Sequence, residues 1–99
     1  MTKPLILDNS LVTIVMPAFN AEETILRAIR SVIDQTYQNF QLFVIDDCSK
    51  DSTREVLCGL EDSRIIYLRN QKNIGAAATR NHGIQLAEGR FLAFLDADD

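Results

Sequence analysis

The sequence predicts an α/β domain, an open parallel sheet with helices flanking it. Four short apolar runs, at 11–16, 40–45, 64–68 and 90–95, have the length and the β-branched or aromatic content of buried strands. The segments between them carry helical spacing or small residues suited to helices. Strands that alternate with helices in this way imply right-handed crossovers and hence parallel neighbours.

The first run, LVTIVM at 11–16, stops at Pro17 and reads as a buried strand. Beyond Asn20, apolar residues fall at Ile25, Ala28, Ile29, Val32 and Ile33, one face of an amphipathic helix. Asn20 with Glu23 three positions later has the form of a capping box. The second run, FQLFVI at 40–45, ends in Asp46-Asp47. A shorter helix follows, with Thr53, Val56, Leu57 and Leu60 on one side, before Gly59 and Asp62-Ser63 loosen the chain. The third strand is expected over 64–68. A polar loop, 69–73, leads through Gly75 into a helix reaching about Glu88, where Gly89 ends it. In that helix Ala76, Ala77 and Ala78 are expected to pack closely on the sheet, and Gly83 to allow a similar approach. The fourth strand runs over 90–95. Residues 1–10 read as a polar lead-in, and 11–99 as one unit without repeats or an interior boundary.

Composition excludes several classes. The chain has 99 residues, of which 46% are hydrophobic and 24% charged, the balance of a folded domain. Ten basic against fourteen acidic residues give a net charge of −4, and no basic stripe is visible, so nucleic acid is not an expected partner. No apolar run approaches the ~20 residues of a membrane-spanning helix. The first residues, with Lys3, Pro4 and Asp8, lack the apolar core of a signal peptide. The expectation is a cytoplasmic chain, with room for peripheral attachment of the full-length protein at the inner face of the membrane. Cys48 and Cys58 lack zinc-site spacing and read as free thiols.

The chemistry gathers at the strand ends. Ligands of open parallel sheets bind beyond the carboxyl ends of the strands. Here those ends carry Pro17-Ala18-Phe19-Asn20, Asp46-Asp47 and Asp96-Ala97-Asp98-Asp99, with Arg80 on the helix before the fourth strand. An aromatic such as Phe19 suits a nucleobase, and a carboxylate can accept the base's ring N–H. Asp96 or a neighbour can reach ribose hydroxyls. Three carboxylates in four positions call for a cation, and a divalent metal with oxygen ligands can bridge them to a diphosphate. A dinucleotide fold would place G-x-G-x-x-G after the first strand, but that turn holds no glycine, and a Walker A loop is also absent. The carboxylate–metal route to phosphate therefore remains.

Each of these residues also has a plainer reading. Asp46-Asp47 can be a strand-end turn capping the next helix. Phe19 can pack on the core, and Arg80 can lie on a solvated face. His82, the single histidine, reads as a surface group. Glu22 and Glu23 suit a helix N-terminus through its dipole.

Six segments in this order resemble the N-terminal half of a family 2 glycosyltransferase of the GT-A, Rossmann-like fold. They are Val15-Met16-Pro17-Ala18-Phe19-Asn20-Ala21-Glu22, Ser31-Val32-Ile33-Asp34-Gln35-Thr36-Tyr37 and Val44-Ile45-Asp46-Asp47-Cys48-Ser49. Asn73-Ile74-Gly75 with Thr79-Arg80-Asn81, then Glu88-Gly89, then Asp96-Ala97-Asp98-Asp99 complete the set. The resemblance covers nearly everything from residue 11 to the D-x-D element near the last residue.

It implies that Pro17, Ala18 and Phe19 border the nucleobase, that Asp47 bonds to it, and that Arg80 approaches the nucleotide. Asp96 and Asp98 match the D-x-D pair. Asp98 would be the direct ligand of Mg²⁺ or Mn²⁺, while Asp96 would serve the ribose or the metal. The implied activity is inverting transfer of a sugar from a nucleotide diphosphate, UDP being the family's commonest, to a glycan or lipid-linked acceptor. Cell-surface polysaccharide synthesis is the implied setting. The general base is expected beyond residue 99, so residues 1–99 alone should be inactive, and their open sheet edge should favour self-association. A nucleotidyltransferase or a non-catalytic binding module are the alternatives. One departure concerns Cys48, which stands where the family often has glycine and lacks glycine's freedom at positive φ.

Overall fold

A computed structural model describes residues 11–88 and 91–97. The strands are β1 (Val12–Ala18), β2 (Phe40–Asp46), β3 (Ile65–Arg69) and β4 (Phe91–Phe94). The helices are α1 (Ile25–Ile33), α2 (Thr53–Leu57) and α3 (Ala76–Leu86). The four strands form one sheet in the order β3-β2-β1-β4, and every pairing is parallel. The α/β reading of the sequence thus holds. The expected lead-in at 1–10, the Gly89 helix stop and the Arg90 strand start lie outside the described residues.

The two faces of the sheet are covered by different helices, and the period of two along each strand decides which residue meets which. Ile14, Met16 and Ala18 of β1 pack with Leu42 and Val44 against Ile25, Ala28, Ile29 and Val32 of α1 and Leu57 of α2. On the opposite face Val15, Phe43 and Ile45 pack with Ile66, Leu68 and Leu86 of α3. Chain order gives the arrangement its functional point. From β1 the chain steps outward to β2 and β3, then returns to place β4 on the other side of β1. The order reverses between β1 and β4, which is where an open α/β sheet leaves a crevice.

Gly83 sets how closely α3 lies on β1, as its residue type suggests. A Cβ there would come 2.4 Å from one methyl of the buried Val15. The expected close packing of Ala76, Ala77 and Ala78 is not found. All three are exposed, because the first turn of α3 stands at the carboxyl-terminal end of the sheet; Thr79 and Gly83 are the buried residues of this helix.

Three further expectations are corrected. Pro17 does not end β1, which runs on to Ala18. The Val15 carbonyl accepts from Leu95 N while that of Ala18 accepts from Asp47 N, so odd positions of β1 turn toward β4. The β1–β4 pairing stops at Val15↔Phe94, hence the missing N–H of Pro17 falls where the ladder has no further pair. Asn20 does not cap α1. The helix starts later, after Thr24, and the side chain of Asn20 accepts instead from Lys50 N at 2.9 Å. β4 is not a buried strand. It is an edge, and its apolar side chains are exposed, Phe91 at 54% and Phe94 at 44%.

Candidate functional site

A cleft of about 430 Å³ opens at the β1/β4 reversal. Pro17, Ala18, Phe19 and Ala21 form one wall, Asp47 the floor, Asn73, Gly75 and Ala76 a second wall, and Asp96 with Ala97 the third. Five of the six sequence-predicted nucleotide residues, Pro17, Ala18, Phe19, Asp47 and Asp96, therefore line one cavity. Phe19 is half exposed at the rim, presenting an aromatic surface to solvent. Arg80 lies beside this cavity, and its guanidinium is 3.5 Å from Asp96 Oδ1. Both partners are well exposed, so the pair contributes little and leaves each free to turn to a ligand. Asp98 and Asp99 lie outside the described residues.

The two aspartates at the end of β2 have separate tasks. Asp46 is fully buried and faces β3. Its Oδ1 accepts from Ser49 N at 2.8 Å, while Oδ2 accepts from the Tyr67 hydroxyl at 2.6 Å and from Arg69 at 3.0 Å. Arg69 also donates to the Ser49 carbonyl at 3.0 Å. The turn after β2 is therefore pinned on the far side of Cys48, and that over-determination sustains a left-handed residue, with φ 62° at Cys48. A non-glycine residue costs ~1–2 kcal/mol in this conformation. Replacing Cys48 by glycine is expected to raise unfolding stability by about 0.5–1 kcal/mol after glycine's entropic cost, read from urea midpoints.

Tyr67 supplies a pH signature of the same cluster. Burial, then its hydrogen bond to the Asp46 carboxylate, pushes its hydroxyl from 10.0 to about 12. The folded chain keeps this proton where the unfolded chain has released it. The resulting stabilisation is complete below pH 10.0 and is lost as the pH rises through about 12. Stability measured across that window should fall more steeply than in Tyr67→Phe, which has no proton to lose.

Asp47 turns the other way, into the cleft, and is 3% exposed. Oδ1 accepts from Asn70 Nδ2 at 2.9 Å and from Ile74 N at 2.8 Å, and Oδ2 accepts from Gly75 N at 2.8 Å. Its main-chain carbonyl accepts from Asn73 Nδ2 at 3.2 Å. Burial works against the charge, but the bonds from Ile74, Asn70 and Gly75 outweigh it and bring the carboxyl below its ordinary 3.8. Asp47 is thus an ionised clamp on the turn that starts α3. Each carboxylate oxygen has two lone pairs, so the three donors leave one acceptor position, on Oδ2. The sequence did not single out Asn70, Asn73 or Thr79 for this role; Asn73 and Thr79 stood in segments that carry the family resemblance, and Asn70 had no signal beyond its place before Gly75.

Besides the Arg80–Asp96 pair, backbone groups at 95 and 97 tie the chain around Asp96 to the rest of the fold. Leu95 N donates to the Val15 carbonyl at 3.1 Å, and the Thr24 hydroxyl donates to the Ala97 carbonyl at 2.9 Å. Thr24 stands at the N-cap of α1, yet its side chain makes no cap bond to its own helix. Glu22 is not at the cavity. It joins the loops before α1 and α2 by accepting from Ser52 N at 3.2 Å. His82 lines a separate hollow with Arg69, Asn70, Gln71, Lys72 and Ile74.

For a divalent metal, the donor chemistry fits. Asp96 offers a carboxylate at the cleft, and Mg²⁺ is commonly held by one or two carboxylates together with substrate phosphates. Among the described residues no three His, Cys, Asp or Glu side chains gather around one point, so an all-protein cage is not formed there.

Fold and site together define an open parallel α/β unit whose cleft lies at the sheet's reversal point. The sequence profile of glycosyl transferase family 2 matches residues 13–99. The UDP-Glc:alpha-D-GlcNAc-diphosphoundecaprenol beta-1,3-glucosyltransferase WfgD of Escherichia coli is 50% identical over 93 residues, 94% of this chain and 37% of that protein. The putative teichuronic acid biosynthesis glycosyltransferase TuaG of Bacillus subtilis is 41% identical over 91 residues, covering 90% and 36% respectively. Among solved structures, S. aureus TarS 1-349 in complex with UDP-GlcNAc superposes with a TM-score of 0.82 at 27% identity, over 88% of this chain and 26% of that one. The chain belongs to glycosyl transferase family 2, and its fold is the GT-A, Rossmann-like arrangement seen in TarS. It spans little more than a third of the length of the curated relatives named here. Among the described residues no helix is long and apolar enough to cross a membrane.

Proposed function

We propose that this chain supplies the donor site of a glycosyltransferase that moves a sugar from a nucleotide diphosphate, a UDP-sugar by preference, to an acceptor hydroxyl. The observation that carries the reading is the convergence of Phe19, Asp47 and Asp96 on one cleft at the β1/β4 reversal, with Arg80 adjoining it. The activities that WfgD and TuaG are named for, and the UDP-GlcNAc bound to TarS, support a nucleotide-sugar donor and a role in building cell-surface polysaccharide on a glycan or lipid-linked acceptor.

In this reading Phe19 and the Pro17-Ala18 wall receive the base, the free acceptor position on Asp47 Oδ2 takes its ring N–H, and Asp96 meets the ribose. Arg80 turns from Asp96 toward the diphosphate. Asp98, with Asp96, would hold Mg²⁺ or Mn²⁺, which when bound offsets negative charge on the departing diphosphate. The acceptor oxygen forms its bond to the sugar's anomeric carbon as the bond to the diphosphate breaks, with inversion. A general base beyond residue 99 takes the acceptor proton. The full-length protein would act in the cytoplasm, where it could meet a lipid-linked acceptor at the inner face of the membrane.

Titration of the full-length protein with UDP, GDP and CDP, each with and without Mn²⁺, tests the assignment. UDP binding that requires metal and is lost in Asp98→Ala is the expected result. Binding indifferent to both base and metal would replace the transferase reading with a non-catalytic module. Residues 1–99 alone should bind nucleotide weakly, transfer no sugar and self-associate through the exposed edge β4. A monomeric sedimentation profile at high concentration, or sugar transfer by this segment, would refute those two statements.

A further inference from the structure

We propose that Asn70 is a specificity-determining positioning residue of the base subsite, acting through Asp47 to favour nucleobases that present a ring N–H over those that present a bare ring nitrogen. This rests on the reading that Asp47 meets the base. Asn70 follows β3 and is 8% exposed. Its own N–H donates to the Asp46 carbonyl at 2.8 Å, which fixes its backbone to the end of β2. Its amide nitrogen divides its two hydrogens between Asp47 Oδ1 at 2.9 Å and Thr79 Oγ1 at 3.1 Å. The Thr79 hydroxyl passes its own hydrogen to the Gly75 carbonyl at 2.8 Å. The amide therefore ties the floor of the cleft to the first turn of α3.

The consequence concerns which oxygen of Asp47 is left for a ligand. Asn70 and Ile74 N occupy Oδ1, and Gly75 N takes one position on Oδ2. Without Asn70, one bond to Oδ1 is lost and the carboxylate plane is held by two backbone N–H groups alone. It can then rotate, or admit water as a bridge. Water donates or accepts with equal ease, so the preference for a donor base is lost before affinity as a whole. A fixed carboxylate accepts from the imide N–H of uracil and the N1–H of guanine, and it opposes the lone pair on N3 of cytosine.

The test compares UDP and CDP dissociation constants in the full-length wild type, Asn70→Ala and Asn70→Ser, the serine variant serving if alanine does not fold. The expected result is a UDP-over-CDP affinity ratio reduced about tenfold in Asn70→Ala, arising mainly from weaker UDP binding. A loss of affinity for both nucleotides by the same factor would mean that Asn70 is merely structural, and would overturn the inference. So would an unchanged ratio in a folded variant. A wild type that does not distinguish UDP from CDP would instead refute the base-subsite reading, so the two failures are told apart.

Discussion

Asp47→Ala is expected to lower nucleotide affinity by about 100-fold or more and to destabilise the chain by about 2–4 kcal/mol. The stability loss follows from the donors it would orphan: Ile74 N, Gly75 N and the Asn70 amide all point at this carboxylate. A buried donor left without a partner costs ~1–3 kcal/mol, and the open side of the cleft lets water recover part of that. The affinity loss is larger because the α3 turn forms a cleft wall and would move with its clamp. Asp47→Asn should be nearly as damaging, since its NH₂ would face a backbone N–H. Calorimetric titration with UDP and urea unfolding check the two effects separately. Wild-type affinity in Asp47→Ala would disprove the role. The sign with pH is fixed by the carboxyl lying below 3.8 in the folded state. Its contribution is present above that value and disappears as the pH falls through the lowered folded one.

Gly83→Val is expected to unfold the chain or to cost several kcal/mol, the largest effect of any single substitution in α3. Even the Cβ of Gly83→Ala would stand 2.4 Å and 2.8 Å from the two methyls of Val15. Val15 has no exposed surface, pairs with β2 on one side and β4 on the other, and carries a branched side chain with few rotamers. The clash is relieved only if α3 lifts from the sheet. Overpacking of this kind costs ~1–3 kcal/mol for alanine, against a gain of about 1 kcal/mol in helix propensity, so the net alanine penalty is smaller and valine's is not. Because α3 begins at the cleft, a lifted helix would also weaken nucleotide binding. Thermal unfolding of Gly83→Ala, Val15→Ala and the double variant measures the coupling. Strict additivity would show that this contact does not set the helix–sheet distance.

Much of the fold could be read from one dimension because its signals are local. Runs such as LVTIVM and FQLFVI are apolar throughout, which marks strands covered on both faces, and the spacing from Ile25 to Ile33 marks a helix with one buried side. The grouping of the candidate site residues was legible for a related reason. A parallel sheet brings all its strand ends to one rim, so residues far apart in sequence but each following a strand become neighbours. Phe19, Asp47 and Asp96 obey that rule.

The chain's own pattern thus determined the parallel α/β sheet, the rim where polar groups meet and the carboxylates found there. Only the tertiary structure decided the rest. It placed β4 beside β1 and not beyond β3, since strand order depends on how the crossovers pack and not on any one strand's composition. It took Asn20 and Thr24 away from capping α1 and spent their side chains on distant loops. It also split two adjacent aspartates between opposite sides of β2, Asp46 toward Tyr67 and Arg69, Asp47 toward the cleft. Hydrogen-bond partners are chosen by proximity in three dimensions, and a polar side chain carries no local mark of which distant donor will reach it.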